Sequence, residues 1–152
     1  MILVAKTETR IATSVSEAYQ MLSNMERFGE WFPEVISITS ANDMQCTEVG
    51  KKYLETVAIP LRGERKIELR VVECIDNQRF VTEGNFAPLL PRMEIFIAEL
   101  NETEILVKWS MFSRNRNKLV QVLLLPLAKR IMQQRADIAS VKLKQLLEVS
   151  GH

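Results

Sequence analysis

Apolar and polar positions alternate from Ile2 to Ile11: Leu3, Ala5, Thr7, Thr9 and Ile11 fall on one face, Lys6, Glu8 and Arg10 on the other. A period of two predicts a half-buried strand. Ser14 and Glu17 follow at capping-box spacing, and Val15, Ala18, Tyr19, Leu22 and Met25 recur on one helical face, so a helix starts there. Phe28-Gly29-Glu30-Trp31-Phe32-Pro33 predicts a second short helical turn, stopped by the proline. Strand signals then take over. Val35 to Ser40 is a short strand, followed by a polar loop through Gly50. Lys51 to Leu61 puts Tyr53, Val57, Ile59 and Leu61 on one face, with Glu55 among them. Arg62-Gly63 supplies a tight turn into Glu64 to Asp76, where Ile67, Leu69 and Val71 alternate with Lys66, Glu68 and Arg70. Asp76-Asn77-Gln78 turns the chain into a strand over Arg79 to Phe86. A loop holding Pro88 and Pro91 precedes the strands Met93 to Leu100 and Glu104 to Phe112, which Asn101-Glu102-Thr103 joins as a hairpin. Ile105, Val107, Trp109 and Met111 share a face of the last strand.

Lys118 to Val149 is helical by pattern, interrupted only by Pro126, and would be roughly 45 Å long. Its second half is amphipathic, with Gly151 as its stop. Its first half, LVQVLLLPLA, is apolar nearly all round, which predicts a segment buried on several sides or facing a cavity or a partner. Pro126 should kink it. Seven strands joined by short turns must be largely antiparallel, and one sheet with helices on one face is the economical packing. The expectation is a single α+β domain over residues 1–152.

Charge and composition sharpen this only locally. A net charge of +1 gives no global reason to expect nucleic acid, a membrane surface or an acidic partner. From Ser113 onward, however, eight Lys/Arg stand against only Asp137 and Glu148, so the C-terminal segment is basic and the rest acidic. Cys46 and Cys74 are too few and too far apart for a metal-ligand pattern or a disulfide framework. The opening MILVAKTETR is not a secretory signal, and the densest apolar run, Leu119 to Ala128, is far short of a spanning helix. A soluble cytoplasmic protein is expected.

The opening strand, the Ser-x-x-Glu-Ala-Tyr helix start, Met25-Glu26-Arg27-Phe28 followed by Trp31-x-Pro33, the strand meander and the long final helix resemble the START-related SRPBCC superfamily over essentially the whole chain. Its polyketide cyclase/dehydrase-like and birch-pollen-allergen-like members share this layout. The resemblance implies the helix-grip fold, in which a curved seven-stranded antiparallel sheet wraps a long C-terminal helix, with two short N-terminal helices. It also implies a deep cavity between sheet and helix that takes hydrophobic small molecules such as lipids, sterols or polyketides. The same cavity serves carriers, sensors and some enzymes, so the fold leaves the function open.

The chemistry in the chain is sparse. The single histidine is the terminal His152, which argues against the commonest general acid/base and against Ser-His or Cys-His nucleophile pairs. No HExxH, glycine-rich phosphate loop or paired-cysteine motif occurs, so no cofactor or metal is expected. Glu55 stands out as a carboxylate on an otherwise apolar strand face. It either orients a ligand hydroxyl or acts as a base with its pKa raised by burial, or the strand twists and it reaches water. Trp109 is either a ligand-stacking wall or core, and Trp31 either packs the short helices or lies near a cavity entrance. Tyr53 offers a hydroxyl, as do Thr7, Thr9 and Thr82, although threonine is also a common strand former. Met93, Met111 and Met132 suit an adaptable pocket or simple core filling.

The expected ligand-binding set is Trp31, Tyr53, Glu55, Val57, Ile59, Leu69, Thr82, Ile95, Ile97, Trp109, Met111, Leu124, Ala128 and Ile131. Function is expected to be binding of a small hydrophobic molecule without catalysis. The alternatives are an aromatase/cyclase-type enzyme with Glu55 as acid/base, and a regulatory or chaperone-like module. Leu123, Leu124, Leu125 and Leu127 with Lys129, Arg130 and Arg135 are a candidate surface for transient membrane contact or a homodimer.

Overall fold

The structure is a computed structural model and describes residues 1–59 and 61–150, the last of these by its backbone alone. Gly151, expected to stop the final helix, and His152, the single histidine, lie outside the described residues. In chain order the elements are β1 (Ile2–Ile11), α1 (Val15–Leu22), a short 3₁₀ helix (Met25–Glu30), β2 (Val35–Ser40), β3 (Lys52–Ile59), β4 (Gly63–Ile75), β5 (Arg79–Asn85), β6 (Pro91–Glu99), β7 (Ile105–Ser113), α2 (Lys118–Leu123) and α3 (Leu125–Ser150). The strands form one seven-stranded sheet in the order β1-β7-β6-β5-β4-β3-β2, every pair antiparallel. This is the α+β, helix-grip arrangement expected from the sequence.

Local side-chain chemistry sets many of the element ends. Ser14 caps α1 by accepting from the Glu17 amide at 3.2 Å, and the Glu17 carboxylate takes the Thr13 hydroxyl at 3.1 Å. In the β6–β7 hairpin the Asn101 side-chain oxygen accepts from the amides of Thr103 and Glu104 at 2.9 and 3.0 Å. Asn77 takes a positive φ of 60° in the β4–β5 turn, a conformation asparagine tolerates well.

Two sequence expectations are corrected. Leu3 does not share the inward face of β1; a bulge between Leu3 and Ala5 turns Leu3 out and buries Val4. Leu61 is not part of the β3 face either. The strand ends at Ile59, and Leu61 sits fully exposed in the hairpin turn at a φ of 64°. The final helix is interrupted at Pro126 as expected, with Leu124 still helical and the Leu124 and Ala128 amides bonded to the Val120 and Leu124 carbonyls at 2.9 and 3.1 Å. Proline at 126 has no amide to offer the Val122 carbonyl, so α2 stops at Leu123 and α3 starts anew at Leu125 with the proline in its first turn.

α3 buries Ala136, Ala139, Leu143 and Leu147, spaced along one helical face, in the core cluster. It also covers one of the two edges of the sheet, along β1. Gln133 accepts from the Lys6 amide at 3.0 Å and donates to the Lys6 carbonyl at 2.9 Å; Lys144 donates to the Arg10 carbonyl at 2.9 Å; and Glu148 accepts from the Ala12 amide at 3.0 Å. These bonds occupy edge groups of β1 that would otherwise be open to pairing with another chain. On the outer face of the sheet, Arg92 binds Glu83 and Glu94 at 2.8 Å each, Arg79 binds Glu94 and Glu73, and Arg114 reaches Glu83 at 3.6 Å. Alternating charge thus ties β4, β5 and β6 together.

Candidate functional site

The inner face of the sheet is apolar almost throughout, and the exceptions define the site. Glu55 points inward from β3 between Ile38 of β2 and Ile67 of β4, its direct cross-strand neighbours. Strand alternation alone puts it there, two residues from Tyr53 and two from Val57. Only 7% of it is exposed, and among the described residues neither a hydrogen-bond donor nor a counter-ion reaches its carboxylate. Loss of hydration therefore acts unopposed and pushes its pKa from an ordinary 4.5 to about 7. Thr82 of β5, buried between Val71 and Met93, is the second polar group on this wall.

Glu55 and Thr82 line a cavity of about 50 Å³ together with Met25 and Phe28 of the 3₁₀ helix, Leu69, Gly84, Pro91, Met93 and Met111. Gly84 leaves this space open, because a Cβ there would stand 3.0 Å from the Pro91 ring and 3.3 Å from a Leu69 methyl. The volume admits water but is far below the roughly 300 Å³ of a pocket for a drug-sized molecule. The resemblance implied a deep cavity under the C-terminal helix; in this structure the space lies between the sheet and the 3₁₀ helix, and none of the described α3 side chains walls it. The side chains of α3 pack directly into the core instead. A second, polar depression of about 220 Å³ lies between α1, the 3₁₀ helix and the end of α3, lined by Glu17, Gln20, Met21, Arg27 and Leu147.

Of the residues expected from the sequence, Glu55, Leu69, Thr82 and Met111 are cavity walls. Trp31, Tyr53, Ile95, Ile97 and Trp109 are buried in the core around it, with Val57 packed against that core. Ile59 is half-buried near the end of β3, and Leu124, Ala128 and Ile131 are half-buried on the α2–α3 segment, away from the cavity. Met25, placed on the α1 face by its spacing, and Met93, read as pocket or core filler, are walls too, whereas Phe28, Gly84 and Pro91 are walls that strand and helix periodicity did not single out. The 3₁₀ helix carries no clear period, and glycine and proline read as punctuation rather than lining.

Aromatic rings connect the cavity to the rest of the core. Phe28 stacks on Phe32 at 4.8 Å and meets Trp31 edge-on at 4.9 Å, and Phe32 lies 5.3 Å from Trp109. The indole N–H groups of Trp31 and Trp109 and the hydroxyls of Tyr19 and Tyr53 are buried, and no group of the described residues meets them in hydrogen-bonding geometry. Tyr19 has the Cys74 thiol nearby and Tyr53 the Met25 backbone; burial pushes both hydroxyls up, Tyr53 to about 12. Lys51, also buried, is by contrast well served by the Ser40 hydroxyl, the Asn42 carbonyl at 2.8 Å and the face of Tyr53 at 5.3 Å. The described residues hold no cluster of metal-binding side chains, and none of their helices is long and apolar enough to cross a membrane.

No protein-family model matches the sequence, and no curated protein matches it. The fold has clear counterparts among solved structures. A START superfamily protein from Mycobacterium smegmatis superposes with a TM-score of 0.76 at 13% identity, over 96% of this chain and 97% of that one. The di-domain ARO/CYC StfQ from the steffimycin biosynthetic pathway matches with a TM-score of 0.71 at 14% identity, over 98% of this chain and 52% of that one. A protein from Thermus thermophilus matches with a TM-score of 0.71 at 12% identity, over 97% of this chain and 99% of that one. The chain therefore has the START-like fold.

Proposed function

We propose that the protein binds a small, largely apolar molecule carrying one hydrogen-bonding group and releases it unchanged. The observation that carries this reading is Glu55, a carboxyl without a partner among the described residues, on an apolar wall that also carries Thr82. Such walls, mostly apolar with a few convergent polar groups, suit recognition of a hydrophobic ligand by one polar end. With a pKa of about 7, Glu55 is substantially protonated at neutral pH and can donate to, as well as accept from, a ligand hydroxyl or carbonyl. The START-like fold supports the same reading, since it typically houses hydrophobic ligands. A guest larger than water requires the walls to yield, and three of them are methionines, whose unbranched side chains repack readily.

Native mass spectrometry of freshly purified protein tests this directly. The expected result is a co-purifying apolar molecule lost on activation, or, from emptied protein, saturable binding of an environment-sensitive lipophilic dye. A clean apo mass together with no dye binding would sink the proposal. A second reading, turnover with Glu55 as general acid/base, is favoured by that same pKa, which suits proton transfer near neutral pH. Glu55→Gln separates the two: it leaves a carrier able to bind and abolishes turnover in a cyclase.

A further inference from the structure

The start of the C-terminal helical segment is neither gripped by the fold nor directed into the cavity. α2 buries none of its residues, and Leu119, Val122, Leu123 and Leu127 are 65%, 70%, 71% and 60% exposed. Leu119, Leu123 and Leu127 are spaced by four, so they project along one side across the break at Leu124, with Val122 beside them. Clustered large apolar side chains at this exposure mark a contact surface rather than ordinary scatter.

Charge identifies the kind of surface. From Ile105 to Ala136 the chain contains no Asp or Glu, and the exposed cations Arg116, Lys118, Lys129 and Arg130 flank the apolar residues on both sides. The Glu83 carboxylate, which Arg114 reaches at 3.6 Å, is already held by Arg92 at 2.8 Å and does not neutralise them. A second copy of the chain is disfavoured as occupant, because a two-fold contact centred on α2 would set these cations against their own counterparts. An anionic lipid surface answers both features, since it accepts exposed leucines without a shaped pocket and attracts the flanking cations. We propose that α2 and the first turn of α3 dock this protein onto anionic membranes as an interfacial segment. The docking concerns the outer surface alone and does not depend on what the cavity binds.

Sedimentation of the full chain with vesicles of phosphatidylcholine, and of phosphatidylcholine and phosphatidylglycerol in equal parts, tests the assignment. Binding is expected to the anionic vesicles, to fall as salt is raised, and to be at least about tenfold weaker on neutral ones. Charge reversal by Lys129→Glu with Arg130→Glu should weaken it by roughly tenfold or more. Val122→Asp with Leu123→Asp should abolish it; both side chains are exposed, so an unchanged circular-dichroism spectrum and melting temperature report an intact fold. In an otherwise native chain, Leu123→Trp should shift its fluorescence to the blue on anionic vesicles only. Failure to sediment with anionic vesicles, or equal and salt-insensitive binding to both kinds, overturns the proposal. So does a solution dimer that Val122→Asp with Leu123→Asp dissociates, since the patch would then be a self-interface.

Discussion

Glu55→Gln should stabilise the protein around pH 8 and change the pH dependence of its stability in a defined direction. Glutamine keeps the shape of the side chain and removes its charge. In the native protein the carboxyl sits between Ile38 and Ile67 with no donor or cation among the described residues to offset burial, so its pKa rises from 4.5 to about 7. An acid whose folded pKa exceeds its unfolded value holds its proton more tightly when folded. Its contribution is therefore complete below about pH 4.5 and is lost as pH rises through about 7. At about 1.4 kcal/mol per pH unit, the charged side chain costs the native state about 3 kcal/mol above that range. Glutamine does not ionise and avoids this cost. Its amide has its own burial penalty, but that is the same at every pH, so the informative quantity is the difference between the two proteins as a function of pH.

Urea unfolding followed by circular dichroism, repeated from about pH 4.5 to about pH 8.5, measures it, with the midpoint and slope giving the free energy at each pH. The Glu55→Gln minus native difference should grow by about 3 kcal/mol across the window, or roughly 6–12 °C in melting temperature for a chain of this size. The other titrating groups are common to both proteins and cancel in the difference. If the two curves run parallel, Glu55 ionises at an ordinary pKa and reaches water, and the site reading built on it fails.

Met93→Ala removes a buried cavity wall; it should cost about 2–5 kcal/mol in urea unfolding and tighten binding of a bulky lipophilic dye. Gly84→Ala should do the opposite to the dye, because its Cβ at 3.0 Å from Pro91 and 3.3 Å from Leu69 drives the wall inward, at a cost of about 1–3 kcal/mol. Arg92→Met leaves Glu83 and Glu94 each without a 2.8 Å partner and should lower stability by about 1–3 kcal/mol; high salt should shrink that loss. Pro126→Ala restores an amide to the Val122 carbonyl and should join α2 to α3, seen as a gain in helical circular-dichroism signal; an unchanged spectrum would show that packing rather than the proline makes the break.

Several features were legible because they are local. Alternation along Lys51 to Leu61 is enough to set Glu55 apart, and the fold turns it inward with Tyr53. Ser14, Asn77 and Asn101 mark a helix start and two turns because each conformation depends on a residue and its near neighbours. Leu3 and Leu61 were misassigned for a related reason: the period of two carries through a bulge or a turn on paper, but not in the chain. The Leu119 to Ala128 run left burial, cavity and partner open, and the structure divides it: Leu119, Val122, Leu123 and Leu127 are exposed while Leu125 is buried.

Taken by itself, the sequence determines which residues share a face, where most elements begin and end, and that seven strands precede a long helical segment interrupted at a proline. Those properties follow from backbone geometry and short-range hydrogen bonding. Only the tertiary structure decides what covers each face. It brings Met25 and Phe28 over Glu55, lays Gln133, Lys144 and Glu148 along the open edge of β1, and leaves α2 without a neighbour on its apolar side. The size of the cavity and the isolation of the Glu55 carboxyl belong to this second class. Both depend on how segments far apart in sequence pack, and the hydrophobic effect that drives that packing is non-directional.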